Sequence, residues 1–507
     1  MSETVVAQGE PGSAPGSKGL KGGALGLVAM IVIGVASTAP GYSIAASLGF
    51  VSEEVGVFAP AIMLLAFVPM LFIASAYFYL NKVDPDCGTT FSWVTRAMGP
   101  QLGWLGGWGI FIADLLVMPS LATIASSYTF LLFNADGLAT DTFWVTVLGV
   151  VFILAMTWIC YVGIELSARS QVGLLSIELV TLVLFSVVAL FKVYNDSPPG
   201  SIDPSWKWFN PFEVHSSSAL AAGVLIALFI YWGWDTAVSV NEESADSRRA
   251  PGVAAVLSTI ILVLIYVVIA VAAQAFAGPQ TLVDNADDVL SVLGREVLGS
   301  PWNKLLIISV LTSAAASTQT TILPTARTAL SMGAHKAAPE SLATVSPRRL
   351  TPTVATVFFG VASCVWLVGL TVLSQDVLAD SIAALGFSIA FYYGLTGVAC
   401  VVYFRRQLFR SLKNFLFMGL APALGSIGLF WAFGKSAIDY AEPANSESGD
   451  SWWGLGPPLV IGLGLLLLGL PLMFLWWRLK PDFFRRRPEL APEEGETVEV
   501  VAPEPVP

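Results

Sequence analysis

The chain has 507 residues, of which 55% are hydrophobic and only 12% are charged, and its formal net charge is −11. Soluble domains carry about 25% charged residues, so this composition excludes an ordinary soluble protein. The apolar residues form about twelve stretches of roughly 18 residues or more, the length needed to cross a hydrocarbon core of about 30 Å. These runs predict an all-α integral membrane protein with twelve transmembrane helices, embedded in the lipid bilayer.

Polar segments flank the apolar region at both ends of the chain. Residues 1–23 are rich in Gly, Pro and Ser, which predicts a disordered cytoplasmic N-terminus. Residues 481–507 are acidic and Pro-rich, which predicts a disordered cytoplasmic tail. Between these segments, residues 24–410 are expected to form a ten-helix core, and residues 411–480 two additional transmembrane helices.

The loop charges predict how the chain lies in the membrane. When successive loops are assigned to alternate sides, 20 of the 25 Lys and Arg residues fall on the side that holds both termini. Basic residues accumulate in cytoplasmic loops, so we expect a multi-pass protein of the plasma or inner membrane with both termini in the cytoplasm. Most of the acidic excess then faces outward.

The composition does not favour an enzyme. Two histidines and four well-separated cysteines predict neither a metal centre nor a disulfide framework. The Gly-rich stretch at residues 22–26 lacks the Lys-Ser/Thr of a phosphate loop, and no spacing suggests a nucleophile with its base. We therefore expect no catalytic residues and no cofactor. The basic residues after the tenth span fit a cytoplasmic boundary, not nucleic-acid binding.

The first span is interrupted near its centre, where residues 34–43 read GVASTAPGYS. Pro40 removes a backbone donor and clashes with the preceding helical turn, and Gly41 adds conformational freedom. An ordinary proline kink is the alternative explanation.

The sixth span carries a second irregularity, in residues 228–244, which read LFIYWGWDTAVSVNEES. Gly233 lies between two tryptophans, and Asp235 follows in mid-span. A carboxylate at this depth is costly, so it normally lines a cavity or has a partner. The irregular segments open two successive blocks of five spans, a pattern that indicates a transporter built from inverted repeats.

Three separated segments resemble the amino acid–polyamine–organocation transporter superfamily. They are residues 85–108 (PDCGTTFSWVTRAMGPQLGWLGGW), 233–251 (GWDTAVSVNEESADSRRAP) and 313–345 (SAAASTQTTILPTARTALSMGAHKAAPESLATV). The resemblance covers about residues 24 to 410. It implies a leucine-transporter-type fold of five plus five inverted spans with two extra C-terminal helices. It also implies a secondary active transporter, an amino acid permease, that moves an amino acid or related organic amine by alternating access.

The resemblance also implies the site. In this superfamily the unwound parts of spans one and six hold the substrate's carboxylate and amine. The matching positions here are Ser37, Thr38, Ala39, Pro40, Gly41, Phe229, Tyr231, Trp232, Gly233, Trp234 and Asp235. This chain departs from the family's usual Gly-Ser/Thr-Gly element in span one. Anion binding by the backbone amides of Gly41 and Tyr42 remains available, but Pro40 offers no donor.

Span five suggests how transport is coupled. Proton-linked or sodium-independent relatives carry a Lys seven residues after the position of Gln171, whereas this chain has Glu178. A carboxylate there would titrate or bind a cation with Ser313 and Ser317 of span eight, and Asp235 is a second coupling candidate. Coupling to H⁺ is expected, with Na⁺ as the alternative. A permanently protonated, purely structural Glu178 is the competing explanation.

Several alternatives remain open at this stage. A polyamine or amine transporter, or an amino acid exchanger, would use the same fold, while a non-transporting membrane sensor fits less well. The three acids within the spans are Asp114, Glu178 and Asp235, with no basic residue assigned beside them. We therefore expect at least one of them to hold a proton or a cationic ligand.

Overall fold

The computed structural model describes residues 18–489 except 215, 374 and 447, and the side chains of 287 and 375–379 are also left out. Helices dominate this part of the chain, and its β-structure is limited to two isolated bridges, Leu25 with Ser244 and Trp452 with Leu455. Eleven of the described helices are long and apolar enough to cross a membrane. The predicted sixth span is not among these eleven because it is divided into short pieces.

The first five spans follow the predicted order. Their helices are Leu27–Ser37 with Pro40–Ala45, then Leu48–Val55 with Ala59–Val83, then Pro100–Leu132, Thr142–Val162 and Ile164–Asp196. A short amphipathic helix, Thr90–Met98, separates spans two and three.

The next five spans repeat this arrangement. They are Ser217–Phe229 with Thr236–Ser239, then Ala250–Asp284, Lys304–Ala334, Thr353–Leu373 and Gln375–Tyr403. The short amphipathic helix Val289–Val297 again separates the second and third members of the block. In both blocks a broken helix comes first and a short helix follows the second span, so the chain has the predicted five-plus-five organisation. Two further spans, Leu412–Asp439 and Pro457–Leu479, complete the bundle.

The broken spans lie inside the bundle, and spans four, nine and twelve lie at its periphery. Spans three and eight are the most buried and pack along each other. Spans four, nine and twelve are the least buried, and their exposed apolar side chains suit contact with lipid. The interior therefore consists of the irregular parts of spans one and six surrounded by spans three, five, eight and ten.

Both described chain ends lie on one face of the bundle, which we call the terminal face and which carries Lys18 and Phe484. The Lys18 side chain and Leu20 are buried there, and the helix Pro481–Phe484 buries Phe483 and Phe484 against Phe91 and Trp104. Residues 18–23 and 481–489 are thus part of the folded structure, contrary to the prediction of disorder from 1–23 and 481–507. The rest of those two predictions, residues 1–17 and 490–507, lies outside the described residues.

Candidate functional site

The first helix of span one ends at Ser37, and a new helix begins at Pro40. Ala39, between them, adopts a left-handed conformation with φ of 48°. The Ser43 hydroxyl donates to the Thr38 carbonyl at 2.6 Å, which satisfies one carbonyl released by the break. Ser37, Thr38, Ala39, Pro40 and Gly41 are all buried, so the five predicted positions of span one line the interior.

Span six unwinds between Phe229 and Thr236, and Gly233 has φ of 115° at the centre of this segment. The Tyr266 hydroxyl donates to the freed Ile230 carbonyl at 2.5 Å, and the Tyr231 hydroxyl donates to the Met63 carbonyl at 2.9 Å. The predicted positions from Tyr231 to Asp235 are buried, whereas Phe229 is half-buried at the end of its helix.

The two breaks face each other directly. A Cβ on Gly233 would lie 2.7 Å from the Ser37 carbonyl oxygen, so only glycine permits this approach. The hydroxyls of Ser37 and Thr236 share a hydrogen bond of 2.8 Å. The structure therefore brings together the two irregular segments predicted from the sequence, although Ser37 and Thr236 lie 199 positions apart along the chain.

Asp235 is surrounded by aromatic side chains. Its carboxylate accepts hydrogen bonds from the hydroxyls of Tyr393, at 2.8 Å, and Tyr392, at 3.3 Å. The Trp232 indole donates to the same Tyr392 hydroxyl at 2.5 Å. Trp234 stacks on Tyr393 with ring centroids 5.2 Å apart. Spans six and ten thus form a box of one carboxylate and four aromatic rings.

Glu178 lies at the break of span one. The Gly41 amide donates to its Oε1 at 2.7 Å, and the neighbouring Tyr42 amide donates to the Ser313 hydroxyl at 3.2 Å. Glu178 is fully buried, and its Oε2 has no hydrogen-bond partner in the described structure. The two amides that the resemblance assigns to a substrate anion therefore already contact side chains of spans five and eight.

The remaining predicted coupling residues divide between two places. The Ser317 hydroxyl donates to the Ser37 carbonyl at 2.9 Å, so Ser313 and Ser317 both hold the break of span one beside Glu178. Asp235 contacts the tyrosines of span ten instead. The third acid of the membrane region, Asp114, accepts a hydrogen bond from Thr325.

A buried ion pair lies where span eight meets the exit of span six. Arg327 lies within span eight and is 2% exposed, and its guanidinium binds both oxygens of Glu243 at 2.7 and 2.8 Å. This basic residue, which the loop charges assign to the cytoplasmic side, therefore pairs with Glu243 and not with the three acids predicted within the spans. The sequence did not predict this pair, because loop charges indicate a side of the membrane and not the partner of each charge.

A second charged cluster on the terminal face was also missed. The Lys18 ammonium binds Asp86 at 2.9 Å and also binds Glu242. Burial works to raise the pKa of Asp86, but the neighbouring Lys18 and His335 outweigh it and hold that pKa well below its usual range. Burial, assisted by the Asp86 charge, raises the pKa of Asp84 to about 6 against the opposing effect of Arg96. Lys18, the loop that holds Asp84 and Asp86, and Glu242 come from separate parts of the chain, so no local pattern predicts the cluster.

Two broken helices packed at the centre of a five-plus-five bundle define a multi-pass membrane transporter. The profile of the amino acid permease family matches residues 24–465. The chain belongs to the amino acid permease family. This confirms the predicted superfamily and a transporter, as opposed to an enzyme.

Similar curated proteins are transporters. An uncharacterized transporter of Mycobacterium tuberculosis is 27% identical over 344 residues, which cover 65% of this chain and 71% of that protein. The human large neutral amino acids transporter small subunit 2 is 24% identical over 427 residues, covering 81% and 72%. A branched-chain amino acid permease of Bacillus subtilis is 24% identical over 311 residues, covering 58% and 63%.

Proposed function

We propose that this permease carries a neutral amino acid across the plasma or inner membrane by alternating access, with H⁺ coupling through Glu178. The names of the human and Bacillus subtilis relatives support this substrate class. The arrangement of Glu178 on the Gly41 amide supports the coupling role, because it joins an ionisable group to the break in span one. Both termini are cytoplasmic in this proposal, in keeping with the loop charges.

Coupling follows from competition for one amide. An ionised Glu178 occupies the Gly41 N–H, which a substrate carboxylate would also need. No cationic side chain pairs with Glu178 in the described structure, so ionisation in the buried site is costly. Protonation weakens the hold of Glu178 on the amide and leaves it available to the substrate. Proton and amino acid would then bind and move together.

Exchanging the carboxyl group of Glu178 for an amide tests the coupling role. We expect Glu178→Gln to remove the pH dependence of amino acid uptake into proteoliposomes, because Gln cannot release a proton. Glu165→Gln is the matched control, since Glu165 lies on the same helix but is exposed and paired with Lys21. Both variants should be purified as folded protein and assayed with labelled leucine under an imposed pH gradient.

The outcomes separate the alternatives. Normal pH-driven uptake by Glu178→Gln would contradict the coupling role. If uptake requires Na⁺ at constant pH, the coupling ion at Glu178 is Na⁺ and not H⁺. If uptake requires amino acid inside the vesicle and does not respond to the pH gradient, the protein is an exchanger.

An organic amine is the second candidate substrate. The box around Asp235 favours it, because a carboxylate and aromatic faces together suit an ammonium group. A thermal-shift panel of leucine, other amino acids and putrescine on purified protein distinguishes the two classes, since a ligand of the folded state raises its stability. Stabilisation by putrescine and by no amino acid would show that the substrate is an organic amine. The variant Asp235→Asn should then abolish the stabilisation by putrescine.

A further inference from the structure

The segment of residues 18–25, which we call the strap, crosses the terminal face before span one begins. Leu20 is 6% exposed and packs in a cluster with Cys87, Leu330 and Ala343. At its other end, the Leu25 amide donates to the Glu243 carbonyl at 3.0 Å, and the Ala245 amide donates to the Leu25 carbonyl at 2.9 Å. The strap is therefore joined to the exit of span six at Leu25 and packs near the end of span eight at Leu20.

Lys18 anchors the N-terminal end of the strap. Its side chain is 4% exposed, and its ammonium binds Asp86 at 2.9 Å, contacts Glu242 and lies 3.8 Å from the Cys87 sulfur. The acceptor groups of Asp86, Cys87 and Glu242 lie within 4.8 Å of one another, so they surround the ammonium as ligands surround a cation. Removing one partner from such a buried pair is strongly destabilising, because it leaves an uncompensated charge.

These contacts join three elements that come from different parts of the chain. The strap leads directly into the first helix of span one, Asp86 lies after span two, and Glu242 lies at the exit of span six. A movement that separates the first helix of span one from span six on the terminal face must break the Lys18 contacts and the Leu25 pairing. Two bound carboxylates make this a stronger closure than an exposed ion pair would be.

We propose that the strap is a latch that keeps the terminal face closed, and that Lys18 must leave Asp86 and Glu242 before this face opens. Its place in the transport cycle rests on the proposed function, in which this opening connects the central site with the cytoplasm. The closure itself does not depend on the identity of the substrate.

Two native thiols report on the latch. Cys87 is fully buried directly beneath Lys18. Cys160 is 4% exposed and belongs to the hydrophobic cluster that includes Leu25, Met30 and Ala237. It lies deeper than Cys87, because its sulfur contacts the carbonyl of Gln319 in span eight, whereas the Cys87 sulfur contacts that of Arg327, about two helical turns nearer the terminal face. Loosening of the strap alone exposes Cys87, whereas opening of the terminal face also exposes Cys160.

The experiment measures alkylation of each thiol by a hydrophilic maleimide in the full-length protein reconstituted in nanodiscs. Two reporter chains retain only Cys87 or only Cys160, with the other three cysteines changed to Ser. We expect Lys18→Gln to increase both alkylation rates by about tenfold or more. Lys21→Gln is the matched control, because Lys21 lies on the same strap but forms an exposed pair with Glu165; it should leave both rates unchanged.

Other results would overturn the latch. Unchanged rates in Lys18→Gln would show that its ion pairs do not hold the face closed. An increase at Cys87 alone would show that the strap loosens without opening the face, and equal increases in both Lys variants would show a general loosening. If Lys18→Gln does not fold, Glu242→Gln tests the same contact from the other side. The alkylation assay needs no substrate. A protein that lacks the proposed transport activity therefore still gives a valid test of the latch.

Discussion

Single residues determine where the two central helices break. Span one leaves the helix at Ala39, one residue before Pro40, because a proline disfavours the helical conformation of the residue that precedes it. Span six breaks at Gly233, where a positive φ and contact with the Ser37 carbonyl exclude any side chain. The breaks thus have different causes, a restricted ring in one and the absence of a side chain in the other.

Substitution of Gly233 tests the contact between the breaks. Gly233→Ala should destabilise the protein by about 2 kcal/mol or more, because it combines an unfavourable φ with a steric clash. Gly173→Ala is the control, since a Cβ there meets nothing within 4 Å and Gly173 lies in the regular helix of span five. It should change stability by no more than about 1 kcal/mol. Thermal unfolding of the two purified variants measures the difference, and equal unfolding temperatures would contradict the contact.

At the scale of elements, side chains at the helix ends connect distant parts of the chain on the terminal face. Arg327 of span eight binds Glu243 at the exit of span six, and both are almost completely buried. Phe483, after span twelve, stacks on Phe91 of the helix that follows span two, with ring centroids 5.7 Å apart. The segment that follows span twelve is therefore attached to the ten-helix core at this face.

Removing one charge of the buried ion pair should be costly. We expect Glu243→Gln to lower the free energy of unfolding by about 3–5 kcal/mol, because Arg327 is left without its partner in a dry environment. The double variant Glu243→Gln with Arg327→Met should recover part of this loss. Arg485→Gln is the control, since its pair with Asp482 is exposed and contributes little. A single-charge variant as stable as the control would contradict the importance of the pair.

At the scale of the whole molecule, the two blocks of five spans place equivalent elements on opposite faces. Thr90–Met98 lies on the terminal face beside Phe483, while Asp288, at the start of Val289–Val297, bonds Tyr128 near the far end of span three. Such inverted halves can open alternately to either side of a central site. The net charge of −11 is likewise distributed unevenly, because the basic residues concentrate in loops of the terminal face.

This charge distribution predicts the orientation in the membrane. Cysteines introduced at two exposed positions, Ser216 before span six and Ser341 after span eight, should respond differently to an impermeant maleimide added to intact cells. We expect labelling of Ser216→Cys and none of Ser341→Cys until the membrane is permeabilised. The reverse pattern would place the terminal face outside.

Much of the architecture was predictable from local patterns. Apolar runs of membrane length predicted twelve spans, and eleven of them are helices long and apolar enough to cross a membrane in the described structure. Proline, glycine and a buried acid marked the two irregular spans, because these signals depend only on neighbouring residues. The predicted site residues of span one and most of those of span six accordingly lie in the interior. The disordered ends were predicted too long, since polar composition does not reveal that Lys18 and Phe483 find partners far along the chain.

The sequence by itself determined the membrane class, the order of the spans, the family and the two broken helices. Only the tertiary structure decided which groups meet: Glu178 with the Gly41 amide, Asp235 with two tyrosines, Arg327 with Glu243, and Lys18 with Asp86 and Glu242. The physical reason is the range of the interactions. Hydrophobic length and helix-breaking act within a few residues, whereas a buried charge takes the partner that packing brings to it from a distant span.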